Sequence, residues 1–192
     1  FPDDAPPRQW DSRPTPAGVA ARCDELDVLR GRLETSLGAL REAIQAEFTC
    51  DLPDAVDRVL DGWTTALHNA AVTVRHEPPP DDALPAVRID PEGLAFIVDN
   101  LVGNAVRALV DAERRELAVA YTSEDSAVTL CVTDTGCGVP TAARARILEG
   151  VRLAGRDGSG LGLRRSREIL ALFGGRLAFA DGPGGVGTTV RV

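Results

Sequence analysis

The sequence predicts an α+β protein: a two-layer α/β sandwich, with a mixed, largely antiparallel sheet covered by helices on one face, preceded by a long amphipathic helix. Three observations predict it. Leu26, Leu29, Leu33, Leu37, Leu40 and Ile44 recur at intervals of three and four, the period of one helix face. Leu117, Val119 and Tyr121, then Val128, Leu130 and Val132, alternate with a period of two, the mark of half-buried strands. Helical and strand-like stretches are interspersed along the rest, a mixture that packs most simply as one layer of each.

In chain order, residues 1–16 are rich in Pro and Asp, have no apolar periodicity, and read as a disordered or extended lead-in. The long helix follows over residues 17–48. A lone helix cannot bury its stripe, and each leucine left in water forfeits ~1.5–3 kcal/mol. The expectation is therefore a partner helix, from a second copy or from a segment outside this chain; packing on its own domain is the alternative. Residues 49–192 read as one domain. Asp51 and Pro53 open its first helix, which carries Val56, Val59, Leu60, Trp63 and Leu67. Ala71–His76 alternates as a strand, residues 77–82 form a loop of Pro and Asp, and Val87 with Ile89 suggests a short strand. Asp90, Pro91 and Glu92 combine a capping carboxylate, a first-turn proline and an acid at the positive end of the dipole, starting a helix that runs to about Asp111. After the two alternating strands come a short helix near Ala142–Leu148 and a helix from about Leu161 to Phe173, ended by Gly174-Gly175. Leu177, Phe179 and Val190 mark a closing hairpin.

Composition narrows the function. The chain has 192 residues, 44% of them hydrophobic, without an apolar run long enough to cross a membrane. A net charge of -8 argues against a nucleic-acid or anionic-membrane binder. Cys23, Cys50, Cys131 and Cys137 form neither a C-x-x-C pair nor a ligand cluster with His68 or His76, so reduced thiols in a cytoplasmic protein are expected. There is no methionine, and the chain reads as a piece of a longer protein whose membrane anchor, if it has one, lies elsewhere.

Three segments carry chemistry. In Asn100-Leu-Val-Gly-Asn104-Ala, the two amides and Arg107 fall at i, i+4 and i+7, one polar stripe beside the apolar face of their helix. Asn is a middling helix former, so propensity does not explain the pair. Their carbonyl oxygens suit a hard cation such as Mg²⁺, which takes one or two protein oxygens beside water and phosphate, while Arg107 counters phosphate charge. In Asp134-Thr-Gly136-Cys-Gly138, a carboxylate at a strand end precedes two glycines whose bare backbone admits a flat ligand. An ionised carboxylate only accepts hydrogen bonds, so it suits the exocyclic amine of adenine and disfavours the carbonyl of guanine. In Gly158-Ser159-Gly160-Leu161-Gly162-Leu163, glycines open a helix whose unpaired N–H groups favour anions. Arg156, Arg164 and Arg165 flank it as candidate phosphate contacts. The spacing supports neither a dinucleotide fold nor a P-loop. In this order the three segments describe a pocket for adenine, Mg²⁺ and a triphosphate.

With those boxes, residues ~50–192 resemble the catalytic ATP-binding domain of histidine kinases, in the superfamily shared with gyrase, Hsp90 and MutL and its Bergerat-type fold. Asn100–Ala105 resembles the family's N box, Asp134–Gly138 and Gly158–Leu163 its two glycine boxes, and Glu149-Gly-Val is most similar to citrate/fumarate-type sensor kinases. The resemblance implies ATP and Mg²⁺ as cofactors, with Asn104 as metal ligand, Asp134 on adenine, and Asn100 and Arg107 on the phosphate side. It further implies nucleotide contacts from Gly136, Gly138, Gly158, Ser159, Gly160, Leu161 and Gly162, and a mobile lid over Gly150–Ser159. Two departures bear on activity. Related hydrolases carry a water-activating Glu where this chain has Asn100, an amide that cannot act as a general base, which favours phosphoryl transfer over hydrolysis. Neither His68 nor His76 has the surroundings of a phosphoacceptor, so the acceptor histidine is expected outside this chain. The implied partners are a second copy joined through the helix of residues 17–48, a His-bearing hairpin domain and a response regulator. The implied location is cytoplasmic, alone or as the cytosolic part of a membrane-anchored sensor. An anti-sigma-factor-type serine kinase and a non-catalytic ATP-binding or dimerisation module are the alternatives.

Overall fold

The structure, a computed structural model, describes residues 16–76, 78–79, 84–124, 127–149 and 161–192. The expected lead-in up to residue 15, the expected lid, and Arg156, Gly158, Ser159 and Gly160 lie outside the described residues. The described elements run α1 (Pro16–Glu47), α2 (Leu52–Asn69), β1 (Thr73–His76), α3 (Pro91–Ala108), β2 (Glu116–Glu124), β3 (Ala127–Asp134), α4 (Thr141–Leu148), α5 (Leu161–Leu172), β4 (Ala178–Asp181) and β5 (Thr188–Arg191). The chain divides into two units at Ala43/Ile44. In the first, the stripe of α1 is uncovered: Leu26, Leu29, Leu33, Leu37 and Leu40 are each more than half exposed. Among the described residues no helix is long and apolar enough to cross a membrane, and all four cysteines are free.

The second unit is the sandwich. Its sheet has the order β1-β2-β3-β5-β4, with β1 parallel to β2 and the other pairs antiparallel. Period-two alternation sends Leu117, Val119, Leu130, Val132 and Val190 into the core. The opposite face carries small side chains such as Ala118, Ala120, Thr133 and Thr189, and the two threonine hydroxyls bond across β3 and β5 at 2.9 Å. α3 is the central helix of the covering layer, packed between α2 and α5. It starts where Asp90 Oδ2 accepts the Gly93 N–H at 2.8 Å, and it buries Leu94, Ile97, Val98, Leu101 and Val102. Asp51 caps α2 in the same way, accepting the Asp54 N–H at 3.0 Å.

Three expected boundaries move. The strand β1 begins at Thr73, not Ala71, because Ala71 takes a positive φ of 52° in the turn that ends α2, where the Val72 N–H closes onto the Leu67 carbonyl at 2.9 Å. Val87 and Ile89 do not form a strand. Val87 makes one antiparallel bridge with Cys50, which ties down the chain entering α2, and Ile89 is buried in the core. Finally α3 stops at Ala108, not near Asp111. The Ala108 carbonyl accepts the Cys137 N–H at 3.3 Å, while the Arg115 guanidinium takes the Val110 carbonyl at 2.7 Å, so the backbone is used by tertiary partners where another helical turn would have needed it.

Candidate functional site

α3 is the spine of the site. Its buried stripe faces the sheet, which leaves Asn100, Asn104 and Arg107 on an adjoining stripe, the amides half-buried and the arginine exposed. The two glycine segments meet this helix at different heights. A Cβ on Gly136 would run into the Ala108 carbonyl, so the loop after β3 lies on the C-terminal end of α3. A Cβ on Gly162 would run into Asn100 Oδ1, so the start of α5 lies two turns lower. Eight residues separate these contacts, or ~12 Å along a helix axis. Asn104 stands midway between them. The described parts of all three sequence segments therefore converge on one helix.

At the upper end, Asp134 is buried at the close of β3, and its Oδ1 accepts the Gly136 N–H at 2.8 Å. That bond turns the carboxylate toward the loop backbone. Gly187, at φ 76°, abuts the Asp134 carbonyl so closely that no side chain could stand there. Thr188, buried, faces Asp134 in the strand register. Gly138, at φ 70°, lies against the Gly187 carbonyl.

At the lower end, the Asn100 Nδ2 donates to Ser166 Oγ at 3.2 Å, and Ser166 is fully buried. With its oxygen against Gly162, Asn100 joins α3 to α5 rather than standing open toward a cation. Asn104 differs. Its Oδ1 accepts from the Arg107 guanidinium at 2.5 Å, and among the described residues its Nδ2 is the buried side-chain polar atom left without a partner. An amide oxygen already gripped by a cation, beside an unsatisfied buried donor, fits a residue whose partners arrive with a ligand. Among the described residues no cluster of His, Cys, Asp or Glu could hold a metal by itself. The Asn104 oxygen is the kind of ligand that Mg²⁺ takes singly beside water and phosphate oxygens, so the residues present fit a metal that arrives with a nucleotide.

A cavity of about 560 Å³ opens between α2, α3 and the start of α5, lined among others by Trp63, Asn100, Arg107, Gly162, Arg164 and Arg165. Leu161, more than half exposed, stands on its rim. Of the arginines flagged in the sequence, Arg164 pairs with Glu168 at 3.2 Å within α5. Sequence reasoning missed Trp63, whose Nε1 donates to Asp99 Oδ1 at 2.8 Å, as well as Ser166 and Thr188. Trp63 reads as one more apolar position of α2, and Ser166 as one more polar residue of α5; only Thr188, next to Gly187 in a glycine-rich turn, carried a local signal.

The family model for the histidine kinase-, DNA gyrase B- and HSP90-like ATPases matches residues 89–192, which hold all of α3, both glycine segments and the closing strands. The chain belongs to this ATPase family. The virulence sensor protein BvgS of Bordetella bronchiseptica is 32% identical over 164 residues, 81% of this chain. The chain spans only 12% of that relative's length. The solved mycobacterial sensor histidine kinase MprB superposes with a TM-score of 0.58 at 25% identity, over 75% of this chain and 93% of that one. Full-length ShkA, solved in complex with AMPPNP, superposes with a TM-score of 0.62 at 24% identity, over 88% of this chain and 37% of that one, a likeness of fold. The ATPase domain thus shares the two-layer fold of histidine kinase catalytic domains.

Proposed function

We propose that this chain is the ATP-binding catalytic core of a two-component sensor histidine kinase, transferring the γ-phosphoryl group of ATP to a histidine outside residues 1–192. One observation carries the reading. The loop of Asp134 and Gly136 and the start of α5 at Gly162 meet the same helix ~12 Å apart, with Asn104 between them, an interval that suits an extended nucleoside triphosphate. In this reading Asp134 and Thr188 take the adenine amine, Asn104 the metal, Arg107 phosphate oxygens, and the helix N-terminus at Leu161 and Gly162 the anionic tail; the buried Asp134, its register partner Thr188 and the Arg107–Asn104 contact support it. ATP with Mg²⁺ supplies, when bound, the transferable phosphoryl group and much of the charge neutralisation it needs. The chain's own work is positioning.

Asn100 supports transfer over hydrolysis. An amide cannot deprotonate water, and this one is committed to Ser166 and Gly162. The reading takes the acceptor to be neither of the chain's two histidines. Both ring nitrogens of His76 are engaged, Nδ1 by Asp57 at 3.1 Å and Nε2 by the Tyr121 hydroxyl at 2.7 Å, and His68 lies in the last turn of α2. A separate His-bearing hairpin, a response regulator that takes the phosphate onward, and a second copy joined through α1 complete the proposed system. The test is incubation with γ-labelled ATP, magnesium and a His-bearing hairpin domain. An acid-labile label on the hairpin is expected. Saturable ATP binding without any label would leave a nucleotide-binding module, and an acid-stable label would point to a serine kinase.

A further inference from the structure

Arg107 occupies the Asn104 oxygen in a way that a simple phosphate contact would not require. Its guanidinium donates to Oδ1 at 2.5 Å, on the residue read above as the metal ligand. Beneath it lies bare backbone. A Cβ on Gly103 would meet the Trp63 ring carbons at 3.3 and 3.4 Å and Arg107 Nη1 at 3.5 Å, so the indole and the guanidinium share the space above one glycine. The indole is fixed there by its 2.8 Å bond to Asp99, one residue before Asn100.

We propose that Arg107 is a placeholder for the metal: it holds Asn104 Oδ1 in the nucleotide-free site and yields that oxygen when a metal–nucleotide complex binds, with Trp63, seated on Gly103, setting the position from which it moves. Two cations cannot both lie on one oxygen without strong repulsion, and the triphosphate offers the displaced guanidinium a better partner. Metal alone brings no such compensation, so the arrangement admits the metal only together with its nucleotide. The inference rests on the nucleotide reading above and adds a positioning role for Trp63 and a competing role for Arg107.

Calorimetry with AMPPNP, in magnesium and in EDTA, gives the gain in affinity that the metal confers. Relieving the competition in Arg107→Ala should raise that gain by about three- to ten-fold, the net worth of one solvent-exposed hydrogen bond, even as binding itself weakens. Arg107→Lys, which keeps a cation, should restore the parent gain. A contact made only to phosphate predicts the same gain in all three proteins, and that result would overturn the placeholder. The second readout is optical. The chain has two tryptophans, so in a Trp10→Phe background Trp63 reports alone. Its emission should shift with magnesium–AMPPNP, not with magnesium alone, and the shift should vanish in Arg107→Ala. An identical shift in that variant would remove Trp63 from the proposal. Absence of any AMPPNP binding by the parent protein would instead defeat the nucleotide reading itself.

Discussion

Single side chains in this domain gain their meaning from what they touch. Asn100 and Asn104 are the same residue type one turn apart, yet one is spent joining two helices and the other keeps a buried donor unpaired. Tyr121 offers a test of the opposite kind, a polar group fully used for structure. Its hydroxyl bonds to His76 Nε2, and the other ring nitrogen, Nδ1, reaches Asp57. Burial, and after it the nearby carboxylates of Asp57 and Asp51, push the Tyr121 hydroxyl far above the usual phenol range. Because the folded-state value is raised, the stabilisation is fully present below about pH 10, where a free tyrosine ionises, and is lost as pH climbs toward the folded value. Tyr121 is the chain's one tyrosine, so tyrosinate absorbance reports it directly. The signal should stay absent at pH 10 and rise together with loss of circular dichroism; half-titration at pH 10 in the folded protein would contradict this burial.

Helix α3 holds the site together because it is fastened at both ends. Asp90 caps its start, and at its end the Ala108 carbonyl is taken by the loop that follows Asp134. Asp90→Ala leaves the Gly93 N–H without its partner and should cost about 1 kcal/mol of stability, measured by urea unfolding. The cost should show equally with and without nucleotide, since Asp90 lies at the end of α3 away from Ala108. A change confined to nucleotide affinity would mean that the cap acts on the site and not on the helix.

At the scale of the whole molecule, α1 presents an apolar stripe to solvent among the described residues. Five leucines of α1, each more than half exposed, form one stripe. At ~1.5–3 kcal/mol for each leucine withdrawn from water, two such stripes facing one another offer a large gain. The chain should therefore sediment as a dimer, and Leu33→Asp with Leu37→Asp should make it a monomer while the ATPase domain keeps its circular dichroism and its nucleotide affinity. A parent protein that sediments as a monomer at high concentration would leave a segment outside this chain as the partner of α1.

The positions of α2, α3, α5, β2 and β3 were legible in the sequence, because helix and strand periods and the capping residues act over a few positions. So were the glycine segments, whose spacing is local too. The short strand at Val87 was misjudged because an apolar residue can be held half-buried by one bridge to Cys50 without any ladder. The pairing of Asn100 with Ser166, of Trp63 with Asp99 and of His76 with Tyr121 spans 66, 36 and 45 residues. Nothing in a local period specifies such partners. Local patterning sufficed to show which layers form and which segments are candidates for a ligand site; the packing of α3 between α2 and α5 set which amide became a clamp, which became the candidate metal ligand, and which cation covers it. The difference is one of reach: backbone preferences are settled within a turn or a strand, whereas a buried amide is satisfied by whatever the tertiary fold brings beside it.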